Sequence, residues 1–228
     1  MYDTKLGIIG GMGPMASAVL LELITEYTTV SKDEEHIVVD MVSNPRIPDR
    51  TEYILGKSDN NPAPIIKSIR EELEARDCKV IAIPCNTAFC LYDEISEGSK
   101  ADIINPVTET VRCLSDLKVK RAGIMATDGT ISTKIFQNAL KHSGIEPVTP
   151  STEAQKTVMD MIYRDVKQGK PIKEEDLRAV EEDLQSQGAE VIILGCTELS
   201  MAKRAGLCEK GYIDTLEVIA KVAVDKCR

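Results

Sequence analysis

Short apolar runs alternate along the chain with longer stretches in which apolar residues recur at helical spacing. The short runs are rich in β-branched residues and predict strands, whereas the stretches between them predict helices. Because strands separated by helices form βαβ units, the pattern predicts an α/β fold with mainly parallel sheets. The predicted strands are Leu6–Ile9, Ile37–Val42, Val80–Ile83, Asp102–Ile104, Ala122–Met125, Glu146–Thr149, Val191–Leu194 and Tyr212–Ile213.

Two of the predicted helices carry a continuous apolar face. A stripe at helical spacing is typical of a helix that packs on a sheet. We therefore expect both helices to bury this face against strands. The first stripe consists of Val19, Leu20, Leu23, Ile24 and Tyr27, and the second of Val158, Met159, Ile162, Tyr163 and Val166.

The chain also repeats itself. The segment "KLGIIGGMGP" resembles "RAGIMATDGT" when Gly7 is set over Gly123, an offset of 116, and Cys85 falls over Cys196 at an offset of 111. We therefore expect two similar α/β/α subdomains with mainly parallel sheets and an active site in the cleft between them. The first would span residues 1–105 plus about 208–228, and the second 106–207, with Pro106 opening a helix.

Composition excludes several classes of function. The formal charge is −9 and the basic residues are scattered, which argues against nucleic acid as a partner. The start "MYDTKLGIIG" lacks a leader pattern, and no apolar run approaches the roughly 18 residues of a membrane span, so we expect a cytoplasmic protein without membrane contact. Seven cysteines without a CxxC pair predict free thiols, with neither a disulfide framework nor a metal site.

The opening segment "GIIGGMGPMASAVL" fits GxGxxA after a strand, which is one signature of dinucleotide binding. Asp40, the candidate ribose ligand, lies inside the next apolar run, whereas a ribose-binding acid stands at the carboxyl end of its strand. A turn of this kind also presents unsatisfied N–H groups that can hold any anion, an amino-acid carboxylate included. A third interpretation is that the glycines serve only a tight turn.

Two cysteines have a distinctive position. In "KVIAIPCNTAFC" and "EVIILGCTELSM", Cys85 and Cys196 each follow an apolar strand and precede polar residues, which predicts both thiols at the carboxyl edge of a parallel sheet. A helix that begins after each thiol is expected to lower its pKa. His36 and His142 are not placed like catalytic partners. We expect the remaining cysteines to be inert small apolar residues: Cys78, Cys90, Cys113, Cys208 and Cys227.

Two facing thiols can invert a carbon centre. One thiolate removes a proton from the carbon while the other thiol delivers a proton to the opposite face. This chemistry requires no metal, flavin or pyridoxal group, so we expect no cofactor.

The segments "GGMGP", "PCNTA" and "GCTEL", with "NPRIPDRT" and "MATDGT" between them, resemble the pyridoxal-independent aspartate/glutamate racemase family across essentially the whole chain. The resemblance implies two α/β subdomains with the active site between them, a homodimer, a small acidic amino acid as substrate, and Cys85 and Cys196 as the catalytic pair.

The resemblance also implies a set of substrate-binding residues. Four of these residues have a simpler interpretation. Arg50 and Lys167 could be charges exposed to solvent, and Asn86 and Thr197 could simply cap helices. The implied set is Asn86, Thr87 and Thr197 for the α-carboxylate and amino group, Met12 and Gly13 in the opening turn, Arg50 and Lys167 for the distal carboxylate, and Thr127 in the corresponding turn of the second half.

The substrate follows from the same resemblance. The glutamate-specific branch has an acidic residue in its opening turn and a histidine after the second cysteine, where this chain has the glycine-rich turn and Glu198. The chain therefore resembles the aspartate branch, although members that act on both acids share these motifs. Alternative functions are a related isomerase, of the maleate isomerase or hydantoin racemase type or a malonate decarboxylase, and a non-catalytic small-ligand binding protein.

Overall fold

A computed structural model describes residues 2–208 and 210–228 of the chain. These residues form two units. One unit contains the chain up to Pro106 together with Leu216–Arg228, and the other contains Val107–Thr215. Each unit contains one four-stranded parallel sheet with flanking helices, which confirms the predicted fold class.

The two sheets have the same strand order. The first runs β2-β1-β3-β4 and the second β6-β5-β7-β8, with every pair parallel. The sequence repeat therefore reflects a structural repeat, in which β1 corresponds to β5 and β3 to β7. The strands are Leu6–Gly10 (β1), Val39–Ser43 (β2), Val80–Ala82 (β3), Asp102–Ile103 (β4), Arg121–Met125 (β5), Glu146–Val148 (β6), Val191–Leu194 (β7) and Tyr212–Asp214 (β8).

Helices connect the strands and cover the sheets. No helix in the described part of the chain is both long and apolar enough to cross a membrane. Short 3-10 helices occupy Asp33–Glu35, Asn86–Leu91, Val166–Gln168 and Thr197–Leu199, and a π-helix occupies Met161–Asp165. The α-helices are Pro14–Tyr27 (α1), Arg50–Ile54 (α2), Ala63–Ala75 (α3), Tyr92–Ser96 (α4), Pro106–Asp116 (α5), Asp128–Thr133 (α6), Ile135–His142 (α7), Thr152–Asp160 (α8), Glu174–Ser186 (α9), Ser200–Arg204 (α10) and Thr215–Lys226 (α11).

Each predicted strand coincides with an observed one, with ends shifted by two residues at most. The largest shift is in β2, which begins at Val39 instead of Ile37. Pro106 opens α5 as predicted, since its missing N–H would have no helical partner at that position.

The second sheet is buried on both faces, as parallel sheets usually are. Alternate residues of its strands enter different cores, because successive side chains of a strand point to opposite faces. Ile192 and Leu194 pack with residues of α8 and α9, whereas Ile193 packs with residues of α5 and α7. The unit therefore has three layers, with helices on both sides of the strands.

The end of the chain differs from the predicted boundary at about 208. β8 pairs with β7, with Ile213 beside Ile193, so this strand completes the second sheet. Only α11 belongs to the first unit, where Leu216, Ile219 and Ala223 are fully buried. A strand is placed by its ladder of hydrogen bonds and a helix by its apolar face, so the two elements can join different units.

The predicted apolar stripes are confirmed in α1 and modified in the later helix. Val158 and Ile162 are buried as expected, but Met161 is buried and Met159 is only half-buried. Met161 is the first residue of the π-helix Met161–Asp165, whose wider turn changes which of the later residues face the core.

Candidate active site

The first cysteine turn begins where β3 ends. Cys85 has extended backbone angles and immediately precedes the 3-10 helix Asn86–Leu91. Its carbonyl oxygen accepts a hydrogen bond from the N–H of Ala88 at 3.2 Å, and the residue is 5% exposed. The thiol therefore lies at the carboxyl edge of the first sheet, as the sequence predicts.

The second cysteine turn follows β7 and has the same form. Cys196 has extended backbone angles, is 6% exposed and precedes the 3-10 helix Thr197–Leu199. Gly195 donates its N–H to the carbonyl of Met125 at 2.7 Å, and a Cβ on this glycine would lie 3.1 Å from the same oxygen. Glycine thus allows the end of β7 to approach β5 closely.

Three of the polar residues that follow the cysteines were predicted to bind substrate, and all three are buried: Asn86, Thr87 and Thr197. Asn86 and Thr197 are the first residues of the two 3-10 helices rather than their N-cap residues. The capping positions belong to Cys85 and Cys196, and neither side chain makes a capping hydrogen bond. Burial of polar side chains at the start of these short helices is consistent with a role in ligand binding.

The opening turn joins β1 to α1. Gly11 has a φ of +98°, and a Cβ there would lie 2.3 Å from the backbone of Asn44, so this position requires glycine. Ser17 accepts a hydrogen bond from the N–H of Gly11 at 2.9 Å and donates one to the carbonyl of Gly13 at 3.0 Å. Met12 is buried, and the Met12–Gly13 peptide bond is cis.

Arg50 lies against this opening turn, at the start of α2. Its guanidinium donates to the carbonyls of Pro48 at 2.8 Å, Ile47 at 3.3 Å and Met12 at 3.5 Å. The residue is only 7% exposed, so the interpretation as a solvated charge is wrong. The fold therefore positions a buried cation next to two predicted site residues, Met12 and Gly13.

Asp40 does not resemble a ribose-binding acid. It lies near the beginning of β2, where it pairs with Lys5 at 2.7 Å. A dinucleotide site would need this carboxylate at the carboxyl end of the strand. The structure therefore gives no support to the dinucleotide interpretation of the glycine-rich opening.

Thr127 follows β5, at the position that corresponds to the opening turn. Its hydroxyl caps α6 by accepting from the N–H of Thr130 at 3.2 Å, and the side chain is buried. Gln155 donates to Asp128 at 2.8 Å and to the carbonyl of Ala126 at 3.0 Å, which fixes both sides of the turn.

Lys167 is exposed, in the 3-10 helix that follows the π-helix. Its ammonium lies 3.8 Å from the centre of the Tyr163 ring, a favourable cation–π distance. The same charge acts to lower the pKa of the Cys196 thiol, so Lys167 interacts electrostatically with the second cysteine turn.

The expectation of a lowered pKa is wrong for Cys196. Burial, followed by the charge and hydrogen bond of Glu198, raises the pKa of this thiol well above its ordinary value. The sulfur donates to Oε2 of Glu198 over 2.9 Å. Sequence reasoning did not assign a role to Glu198, although its spacing of two residues from Cys196 places both side chains on one short turn.

The remaining five cysteines lie outside the two cysteine turns. Cys78 and Cys227 are buried, while Cys90, Cys113 and Cys208 are half-buried, and all are free thiols. Burial raises the pKa of Cys208 and of Cys227 to about 11, which keeps both protonated near neutral pH. In the part of the chain that the structure describes, no group of three or more His, Cys, Asp or Glu side chains could hold a metal ion.

The chain is similar to known proteins along nearly its whole length. The model of the Asp/Glu/Hydantoin racemase family matches residues 9–223. The broad specificity amino-acid racemase RacX of Bacillus subtilis (strain 168) is 28% identical over 228 residues, which cover 96% of each chain.

Solved structures extend the likeness. The aspartate racemase of Picrophilus torridus superposes with a TM-score of 0.83 at 26% identity, over 98% of this chain and 94% of that one. The glutamate racemase of Francisella tularensis, solved with D-glutamate, has a TM-score of 0.70 over 97% and 80% of the two chains, and at 17% identity it shows the fold alone. With a family match that spans nearly the entire sequence, the chain belongs to the Asp/Glu/Hydantoin racemase family.

Proposed function

We propose that the protein is a cofactor-independent amino-acid racemase that interconverts L- and D-aspartate, with glutamate as the second substrate to test. One observation carries the proposal. Cys85 and Cys196 occupy equivalent positions, each after the third strand of a sheet with the same strand order. A pair of equivalent thiols suits a reaction that must treat the two faces of one carbon alike.

In the proposed mechanism the two sulfur atoms lie on opposite faces of the substrate Cα. The thiolate of one cysteine accepts the Cα proton and becomes a thiol, and the thiol of the other donates its proton to the opposite face and becomes a thiolate. Proton count and charge balance in this step. The reverse direction exchanges the two roles.

Binding groups must stabilise the negative charge that develops at Cα and the carboxylate. In the proposal, Asn86, Thr87 and Thr197 hold the α-carboxylate and amino group, since they are buried beside the two cysteines. Arg50 receives the distal carboxylate, with Lys167 as its counterpart. The turns that contain Met12, Gly13 and Thr127 line the pocket. Donors fixed in advance lower the barrier more than solvent could.

Aspartate is the first substrate to test. The glycine-rich opening turn and Glu198 replace the residues typical of the glutamate branch, and an aspartate racemase is 26% identical over nearly the whole chain. The broad specificity of the Bacillus relative makes glutamate the appropriate second substrate.

Solvent deuterium tests the proposal. Purified protein incubated with L-aspartate in D₂O, with no added cofactor, should replace the Cα proton with deuterium and form D-aspartate. Proton NMR and chiral chromatography measure the two events, and L-glutamate is run in parallel. A binding protein would give no exchange with either acid. If the protein converts a hydantoin or maleate and aspartate gains no deuterium, the related isomerase function replaces this proposal.

The resemblance also implies a homodimer, which we include in the proposal. Val38 and Met41 are exposed apolar side chains on and beside the edge strand β2, a position suited to contact with another chain. Light scattering should then give about twice the 25.0 kDa of one chain. A mass of one chain at micromolar concentration would contradict the dimer.

A further inference from the structure

Glu198 contacts the sulfur of Cys196. The Cys196 sulfur donates to Oε2 of Glu198 at 2.9 Å, and the hydroxyl of Thr197 donates to the same oxygen at 3.4 Å. Glu198 is 5% exposed, so both ends of the contact are shielded from water. A thiol paired with a buried carboxylate retains its proton more strongly than a thiol in water.

The other carboxylate oxygen has a different environment. Oε1 of Glu198 is buried and has no hydrogen-bond partner among the described residues. Buried carboxylate oxygens are rarely left without a donor, because the desolvation free energy is then uncompensated. A site that keeps such a group, at the carboxyl edge of a sheet, points to a functional reason for the residue.

The two cysteine turns differ at this position. Two residues after Cys196 the chain has Glu198, whereas two residues after Cys85 it has Thr87, which carries no charge. The repeat of the fold is therefore broken at the position that contacts the Cys196 sulfur. A two-base reaction needs one thiol and one thiolate at the start, so an asymmetry of this kind is useful to it.

We propose that Glu198 is a positioning residue that holds the proton on Cys196 and so assigns the acid role in the ligand-free enzyme to this sulfur. The inference rests on the proposed function and deepens it. Cys196 then begins as the thiol that donates to the substrate carbon, which leaves the role of base to Cys85. After one turnover Cys196 is the thiolate, a state that the Glu198 carboxylate disfavours and that proton return to Cys196 relieves.

Other charges near Cys196 act in the opposite direction or are already neutralised. The Lys167 ammonium favours the thiolate. In the π-helix that packs against this turn, Arg164 and Asp165 pair with each other at 2.7 Å. The following helix α10 contributes Lys203 and Arg204. Glu198 is thus the group whose removal should change the titration of Cys196 most.

The test is the pH dependence of Cys196 alkylation by iodoacetamide, followed by peptide mass spectrometry. We expect Glu198→Gln to lower the pH midpoint of Cys196 by about 1 to 3 units, because the neighbouring negative charge is lost while the shape is kept. An unchanged Cys196 midpoint in folded Glu198→Gln protein would overturn the proposal.

Two further variants make the test specific. Glu109→Gln removes a mostly buried glutamate of α5, which pairs with Arg112 at 2.7 Å, and should leave the Cys196 midpoint in place. If Glu198→Gln does not fold, Glu198→Asp decides the question, since its shorter side chain withdraws the carboxylate from sulfur and should lower the midpoint. An unchanged midpoint in folded Glu198→Asp protein also counts against the proposal. The titration uses no substrate, so its result is independent of the racemase assay. The role of Glu198 can be disproved while racemisation is observed, and racemisation can be absent while the Cys196 midpoint shifts as expected.

Discussion

Replacement of either strand-end cysteine with serine is expected to lower kcat/KM for aspartate racemisation by about 1,000-fold or more. A serine hydroxyl ionises far less readily than a thiol and cannot act as the base near neutral pH. Because L- and D-aspartate are equal in free energy, the loss of kcat/KM must be the same from either enantiomer. Chiral chromatography of both directions measures it.

Deuterium exchange separates this prediction from a simple loss of folding. Cys85→Ser retains one base, so residual Cα exchange without inversion should be confined to one enantiomer, and in Cys196→Ser to the other. Cys113→Ser, at a half-buried cysteine of α5, is the control and should racemise normally. Full racemase activity in either strand-end variant would remove that cysteine from the mechanism.

Replacement of Arg50 with methionine is expected to lower kcat/KM for aspartate by about 100-fold, since loss of one partner of a buried charge pair costs about 2–5 kcal/mol. The guanidinium is buried against the carbonyls of Pro48 and Met12, so in the proposed complex it would pair with the distal carboxylate away from bulk water. Steady-state kinetics with aspartate and with alanine measure the effect.

The ratio of kcat/KM for aspartate to kcat/KM for alanine identifies the cause of the loss in Arg50→Met. Alanine has no distal carboxylate, so Arg50→Met should reduce the preference for aspartate over alanine. Arg46→Met is the matched control, because Arg46 lies exposed on the loop that precedes α2 and should change both rates by less than about twofold. A loss that leaves the preference unchanged, with a lower melting temperature, would instead assign Arg50 a structural role in the opening turn.

Most of the fold could be predicted from local pattern. The strands are short apolar runs and the connecting helices have apolar faces, so their positions follow from side chains close together in the sequence. Cys85 and Cys196 could be placed at sheet edges for the same reason, because each follows its strand directly. Pro106 marked the start of α5 through its missing N–H.

Properties that depend on distant neighbours could not be predicted in this way. Arg50 is buried partly by the opening turn, where it contacts the carbonyl of Met12, 38 positions earlier in the chain. The raised pKa of Cys196 depends on desolvation and on the Glu198 side chain, whereas the sequence argument considered only the helix that follows the thiol. The helix effect was the weaker one, since the 3-10 helix spans only Thr197–Leu199.

The amino-acid sequence by itself determined the α/β class, the order of strands and helices, the repeat and the two cysteine turns, because all of these follow from periodicity and spacing along the chain. The tertiary structure decided that β8 joins the second sheet while α11 joins the first unit. It also decided that Arg50 is buried and that Glu198 contacts Cys196. Hydrogen-bond ladders, packing of apolar faces and desolvation act between residues brought together only by folding, which is why sequence pattern does not contain them.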